Sequence, residues 1–152
     1  KLEAVQTVED IDLISSLSEE IISEYGDTYY ADLARLNLAK TEVDVGNSDG
    51  AIKLLRGVVD DSRDSSLVAL ARLRLAALYV MTEQFDLAMS ALDGDADAAM
   101  SGLFADIRGD IYAAQDLHDE ARGAYQEALS LLQEGNPWVD IVQIKIDSLG
   151  SQ

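Results

Sequence analysis

The chain of 152 residues contains no cysteine, one proline, one histidine and few cations. Without cysteine there is no disulfide, no thiolate zinc site and no thiol nucleophile, and the redox state of the compartment leaves no mark on the sequence. The single histidine, His118, sits in "QDLHDE", expected to be a solvated turn, and supports neither a catalytic triad nor a His-rich metal site. No P-loop and no G-x-G-x-x-G is present. Carboxylates are abundant, but no motif sets a pair across a cleft, so neither an enzyme nor a cofactor is expected. Lys and Arg number 11 against 29 Asp and Glu, a net charge of −18. That charge repels nucleic acid and anionic lipid, leaving peptides, proteins or cations as partners. The longest apolar segment, Leu67 to Met81, is interrupted by Arg72 and Arg74 and is too short and too charged to span a bilayer. No signal peptide is visible, and an opening at Lys1 without methionine is expected of a piece of a longer protein.

What is present is helical. Apolar residues make up 48% of the chain, enough for a sizeable core in one domain over residues 1–152. Glycines mostly fall between runs of helical periodicity. Leu13, Ile14, Leu17, Ile21 and Tyr25 follow such spacing behind a capping-box-like Thr7 and Asp10, which predicts a leading helix over about 8–25.

Three segments then align without gaps: "LNLAKTEVDVGNSDGAIKLL", "LRLAALYVMTEQFDLAMSAL" and "DIRGDIYAAQDLHDEARGAY". Ala39, Ala76 and Gly109 share one column, and Gly46, Glu83 and Asp116 the turn. Ala51, Ala88 and Ala121 form a second small column, and Leu55, Leu92 and Tyr125 a large one. Spacing between the two small columns is constant, whereas spacing between segments varies. Two antiparallel helices approach closely only where side chains are small, so each segment predicts a helical hairpin with one small residue on each helix. Tyr29, Tyr30, Tyr79, Tyr112 and Tyr125 are expected to pack within these hairpins. Repeats are predicted over about 28–60, 66–93 and 98–133, and Asn136 with Pro137 opens a closing helix over about 137–149 that covers the end of the stack.

The pattern resembles the tetratricopeptide repeat, whose L-G-x2-Y then A-x3-F signature matches Leu75-Ala76, Tyr79, Ala88 and Leu92, and again Gly109, Tyr112, Ala121 and Tyr125. Glu42 and Arg108 depart from it, and no proline closes a repeat. The expected fold is all-α: a tetratricopeptide-repeat-like right-handed superhelix of antiparallel hairpins, about eight helices with capping helices at both ends.

In repeats of this kind the first helix of each hairpin lines a concave face. That geometry selects Leu33, Leu36, Lys40, Val43, Leu70, Leu73, Ala77, Val80, Asp106 and Asp110 as candidate protein-binding residues, apolar in the first two units and acidic in the third. Arg35, Lys40, Arg72, Arg74 and Arg108 also lie on first helices and are expected to pair with carboxylates inside the chain.

"DGDADAAMSGLFAD" alternates Asp93, Asp95 and Asp97 as an EF-hand loop begins, but such a loop needs glycine sixth and glutamate twelfth and here has Ala98 and Phe104. Asp95 or Asp97 is expected instead to cap the next helix, with no metal bound.

Within the repeat class, "YYADLARLNLAKTEVDVG", "LARLRLAALYVMTEQFDLAMSALD", "IRGDIYAAQDLHDEARGAYQEAL" and "VQIKIDSL" resemble the YfgM family of ancillary SecYEG translocon subunits. The resemblance implies a non-catalytic, periplasmic repeat domain of a protein anchored in the bacterial inner membrane by an N-terminal helix outside this chain. It further implies the SecYEG translocon and a PpiD-like periplasmic chaperone as partners, with newly translocated proteins as clients. A structural scaffold acting through the outer face, or a generic regulatory repeat adaptor, are the alternatives.

Overall fold

The computed structural model describes residues 2–94, 98–133 and 135–150, with side chains from residue 10 onward except those of residues 98 and 99. The described residues form eight helices and no strand: α1 (Leu2–Glu24), α2 (Tyr29–Asp44), α3 (Ser48–Asp61), α4 (Ser65–Met81), α5 (Phe85–Ala91), α6 (Ala98–Ala114), α7 (His118–Leu131) and α8 (Trp138–Ser148). Helix α1 begins ahead of the expected Val8. No glycine or proline interrupts Leu2–Glu24, so nothing stops helix propagation at Thr7 and Asp10, whose backbone lies inside α1 rather than at its cap. The segment from Ala98 to Phe104 is likewise helical, and Phe104 is buried, which removes the second half of an EF-hand loop. The proposed caps Asp95 and Asp97 lie outside the described residues.

The chain divides into two compact units, Lys1–Ala71 and Arg72–Gln152. In the first, α1 packs on α2 and α2 on α3. Thr28 accepts a hydrogen bond from the Ala31 amide at 3.3 Å and Asn47 one from Gly50 at 3.1 Å, closing the starts of α2 and α3. Asp64 does the same for α4, accepting from Ser66 and Leu67 at 3.0 Å. In the second unit α6 pairs with α7, α8 lies on α7, and α5 touches α6. Asn136 Oδ1 accepts from the Trp138 amide at 2.9 Å, so the cap expected ahead of the closing helix is formed.

The three hairpin turns are built alike. Gly46, Glu83 and Asp116 all adopt left-handed backbone, with φ of 82°, 57° and 61°. The following amides reach back to the same relative carbonyls: Asn47 to Glu42 (2.8 Å), Gln84 to Tyr79 (2.8 Å) and Leu117 to Tyr112 (2.9 Å). This is the Schellman closure of a helix, in which a left-handed residue lets two otherwise unsatisfied carbonyls be paired. Glycine takes that conformation freely, whereas Glu83 and Asp116 hold it at a steric cost.

All nine aligned column positions are buried: Ala39, Ala76 and Gly109; Ala51, Ala88 and Ala121; Leu55, Leu92 and Tyr125. Gly109 shows why the first column is small. A Cβ there would overlap the Tyr125 ring, and one at Gly102 would come within 2.9 Å of Leu132. Helix α7 therefore settles onto α6 at two glycines, and Ala105, Ala121, Tyr125, Ala128 and Val142 form the core of this unit.

Candidate functional site

In the first unit, the candidate surface residues on α2 separate by depth. Lys40 is exposed, Leu33 and Val43 are half-buried, and Leu36 is 3% exposed, so Leu36 belongs to the core rather than to a binding face. Leu70 is half-buried. In the second unit Leu73, Ala77 and Val80 are all half-buried on α4. Half-burial leaves part of each apolar side chain in contact with water, as a surface able to receive a peptide side chain requires.

The acidic positions of the third repeat are engaged differently from the expectation of an open acidic patch. Asp106 is 1% exposed. Both of its carboxylate oxygens accept from Lys145 Nζ at 2.8 Å, and Oδ2 also accepts from the Trp138 indole N–H at 2.9 Å. Lys145 donates as well to the Asp110 carboxylate at 2.9 Å, and the Tyr125 hydroxyl donates to Asp110 at 2.7 Å. The ammonium also lies 5.6 Å from the Tyr125 ring centroid. Two aspartates one turn apart on α6 thus hold the closing helix through its sole cation. A buried carboxylate is tolerated only when paired and hydrogen-bonded, and α8 supplies both partners. Burial pushes the Asp110 carboxyl above its ordinary range and the Asp106 charge adds to that, against the opposing pull of the Lys145 and Tyr125 hydrogen bonds. The Tyr125 phenol is held well above its ordinary range by burial and by the Asp110 carboxylate.

The arrangement of Lys145 and Trp138 escaped the sequence reading, although a lone lysine in an otherwise apolar and acidic helix was a usable signal. The basic residues of the first helices do pair within the chain where their partners are seen. Arg35 donates to Asp32 at 2.9 Å and to the Gly26 carbonyl at 3.0 Å. Arg108 pairs with Glu127 at 2.9 Å, and Lys40 approaches Asp44 at 3.8 Å with both side chains exposed, a pair worth little. The Arg72 guanidinium lies against the backbone of Gly94.

Two further expectations are corrected. Tyr79 and Tyr125 are buried and Tyr112 half-buried, but Tyr29 and Tyr30 are 51% and 72% exposed, stacked edge to face on each other at the start of α2 instead of packing in the hairpin. Helix starts place their first residues beyond the partner helix, so aromatic type alone does not bury them. His118 is half-buried at the first position of α7, with Nδ1 enclosed, rather than a freely solvated turn residue. Among the described residues no group of three His, Asp or Glu side chains is set to hold a metal ion, and no helix is long and apolar enough to cross a membrane. The recesses of the first unit are open, with charged side chains among their lining. One of about 310 Å³ is lined by Tyr29, Arg63 and four aspartates, Asp27, Asp32, Asp61 and Asp64.

Comparison with known proteins agrees with this architecture. The family described as tetratricopeptide repeat-like domain matches residues 1–151. An ancillary SecYEG translocon subunit of Neisseria gonorrhoeae (strain ATCC 700825 / FA 1090) is 32% identical over 136 residues, covering 90% of this chain and 65% of the relative. An ancillary SecYEG translocon subunit of Escherichia coli (strain K12) is 30% identical over 133 residues, covering 87% and 63%. The chain therefore spans slightly less than two thirds of the length of these relatives. The crystal structure of MamA shares the fold with a TM-score of 0.64 at 22% identity, covering 95% of this chain and 89% of MamA.

Proposed function

The chain belongs to the tetratricopeptide repeat-like domain family, and on that premise we propose that it is the periplasmic, protein-binding part of an ancillary subunit of the SecYEG translocon. The observation that carries this reading is the similarity over 90% of the chain to a protein of that description, joined to three hairpins closed by the same turn. In this role the chain sits on the periplasmic side of the bacterial inner membrane, its parent protein anchored by an N-terminal helix. As the resemblance to the YfgM family implies, its partners are the translocon, a PpiD-like chaperone and newly translocated polypeptides.

Contact is made through the first helices of the hairpins. In the first unit the contact residues are Leu33, Lys40, Val43 and Leu70; in the second, Leu73, Ala77 and Val80. Asp106 and Asp110 serve instead to fasten α8. Short apolar contacts within an acidic protein favour extended segments with apolar anchors and positive charge, held weakly enough to be released. The experiment is a crosslinking pull-down from membranes with the full-length parent protein, run with Leu33→Glu and Leu73→Glu alongside. Recovery of translocon subunits and a periplasmic chaperone, reduced by either variant with helicity intact, is expected. Recovery of neither contradicts the assignment; recovery unaffected by both variants contradicts the contact surface.

A further inference from the structure

Helix α1 is amphipathic in an unusual sense. Among its described side chains the least exposed are Ile11, Ser15, Ser18 and Ile22 on one face, with half-buried Ile21 at the edge of that face, and α1 packs on α2. Serines thus occupy the middle of the packed seam, while Leu13, Ile14, Leu17 and Tyr25 are 58%, 48%, 49% and 55% exposed. Burial within this chain alone selects the opposite arrangement, with the large apolar residues inside. Among the exposed residues, Ile14 and Leu17 lie three positions apart and Leu13 and Leu17 four, the spacing of a seam that receives a second helix. From Asp10 to Tyr25 the face runs about 24 Å at the helical rise.

The charge of α1 decides what covers that face. The helix contains Glu3, Glu9, Asp10, Asp12, Glu19, Glu20 and Glu24 and no Lys or Arg. Asp10, Glu20 and Glu24 are exposed within or beside the apolar row. A second copy would set these carboxylates against their own like, in a chain of net charge −18, and an anionic bilayer would be repelled in the same way. A cationic partner meets the acids as well as the leucines. We propose that the outer face of α1 is a docking surface for a basic amphipathic helix of another protein, with apolar anchors at spacings of three and four flanked by Lys or Arg. It is separate from the first-helix residues assigned above, and either surface can fail without the other.

The test uses this chain and a labelled three-heptad peptide with Leu at the inward positions and Lys at the flanking ones, read by fluorescence anisotropy. Its counterpart carries Glu at the flanks. The Lys peptide is expected to bind and the Glu peptide not. Leu17→Ser, and separately Leu13→Ser, should each weaken binding roughly 30-fold, as loss of an interface anchor does, with helicity and melting unchanged because both residues are exposed. Glu20→Lys with Glu24→Lys should also weaken it, and so should raising salt from roughly 0.05 M to roughly 0.5 M, which shortens the Debye length severalfold. No binding of the Lys peptide overturns the proposal. So does binding indifferent to both leucine variants, because it would report only the overall negative charge. Self-association abolished by Leu17→Ser would assign the face to a second copy, and Leu17-dependent sedimentation with phosphatidylglycerol vesicles would assign it to lipid; either result also overturns it.

Discussion

Replacing Lys145 with methionine separates the charge network from the packing around it. Methionine keeps most of the apolar stem that lies beside Tyr125, and removes the ammonium that donates to Asp106 and Asp110. Asp106, 1% exposed, is then left with the Trp138 indole as its remaining partner. Breaking one side of a buried pair costs 3–5 kcal/mol when no water reaches the charge left behind. The Lys145 side chain is 26% exposed, so water reaches the vacated position and the lower end applies, about 3 kcal/mol. For a chain of this size that is a fall in Tm of about 6–12 °C. Trp138 is the sole tryptophan and itself donates to Asp106, so its fluorescence reports release of α8 directly, beside circular dichroism for the helices as a whole. Adding Asp106→Asn to Lys145→Met replaces the stranded charge with a neutral amide and should restore roughly half of the loss, because the charge carries most of the desolvation penalty. A Lys145→Met protein within about 0.5 kcal/mol of the parent, a difference typical of featureless surface sites, refutes the view that this network holds the closing helix.

Gly109→Ala places a methyl group in the Tyr125 ring and should cost about 1–3 kcal/mol, measured by urea unfolding; no loss would show that α6 and α7 separate freely. Asp116→Gly relieves a left-handed aspartate at a hairpin turn and should raise stability by about 0.5–1 kcal/mol, after the entropy of the added glycine is offset; a loss would refute the strain. Asp110→Asn tests linkage. The folded carboxyl titrates above its ordinary 3.8, so the folded state holds this proton more tightly than the unfolded one, and stability from this group is present below 3.8 and falls as pH rises through the folded value. Asp110→Asn should therefore be more stable relative to the parent at pH 7 than near pH 4, and a gap that does not narrow on acidification would contradict the direction.

Much of the fold was legible because the repeat carries its own internal control. The turn column of Gly46, Glu83 and Asp116 came from aligning small residues, yet it identifies three positions sharing one backbone conformation and one hydrogen-bond pattern. Small columns were readable because close helix packing leaves few residue choices, as the overlap of any Cβ at Gly109 with Tyr125 shows. Side-chain engagement was less legible. Asp106 and Asp110, expected on an open binding face, are engaged by a helix whose Lys145 lies more than thirty positions further along, and periodicity within α6 does not encode the register of α8 against it. The same limit applied to α1. Its apolar row was visible as a period, but a period says which residues share a face, not which face meets α2, and the packed seam runs through Ser15 and Ser18 instead. Leu36 differed from Leu33 for a similar reason: three residues around a helix separate core from surface, and only the packed partner fixes where the boundary falls.

The claim that the first helices receive polypeptide partners is tested most directly by placing a photo-crosslinking amino acid at Leu73 in the full-length protein, with exposed Asp119 on α7 as the control position. The account predicts ultraviolet-dependent adducts at Leu73 that contain a translocon subunit, a periplasmic chaperone or a newly translocated chain, and few at Asp119. Equal adducts at both positions, or none at Leu73 while the protein remains bound to the translocon, would contradict it.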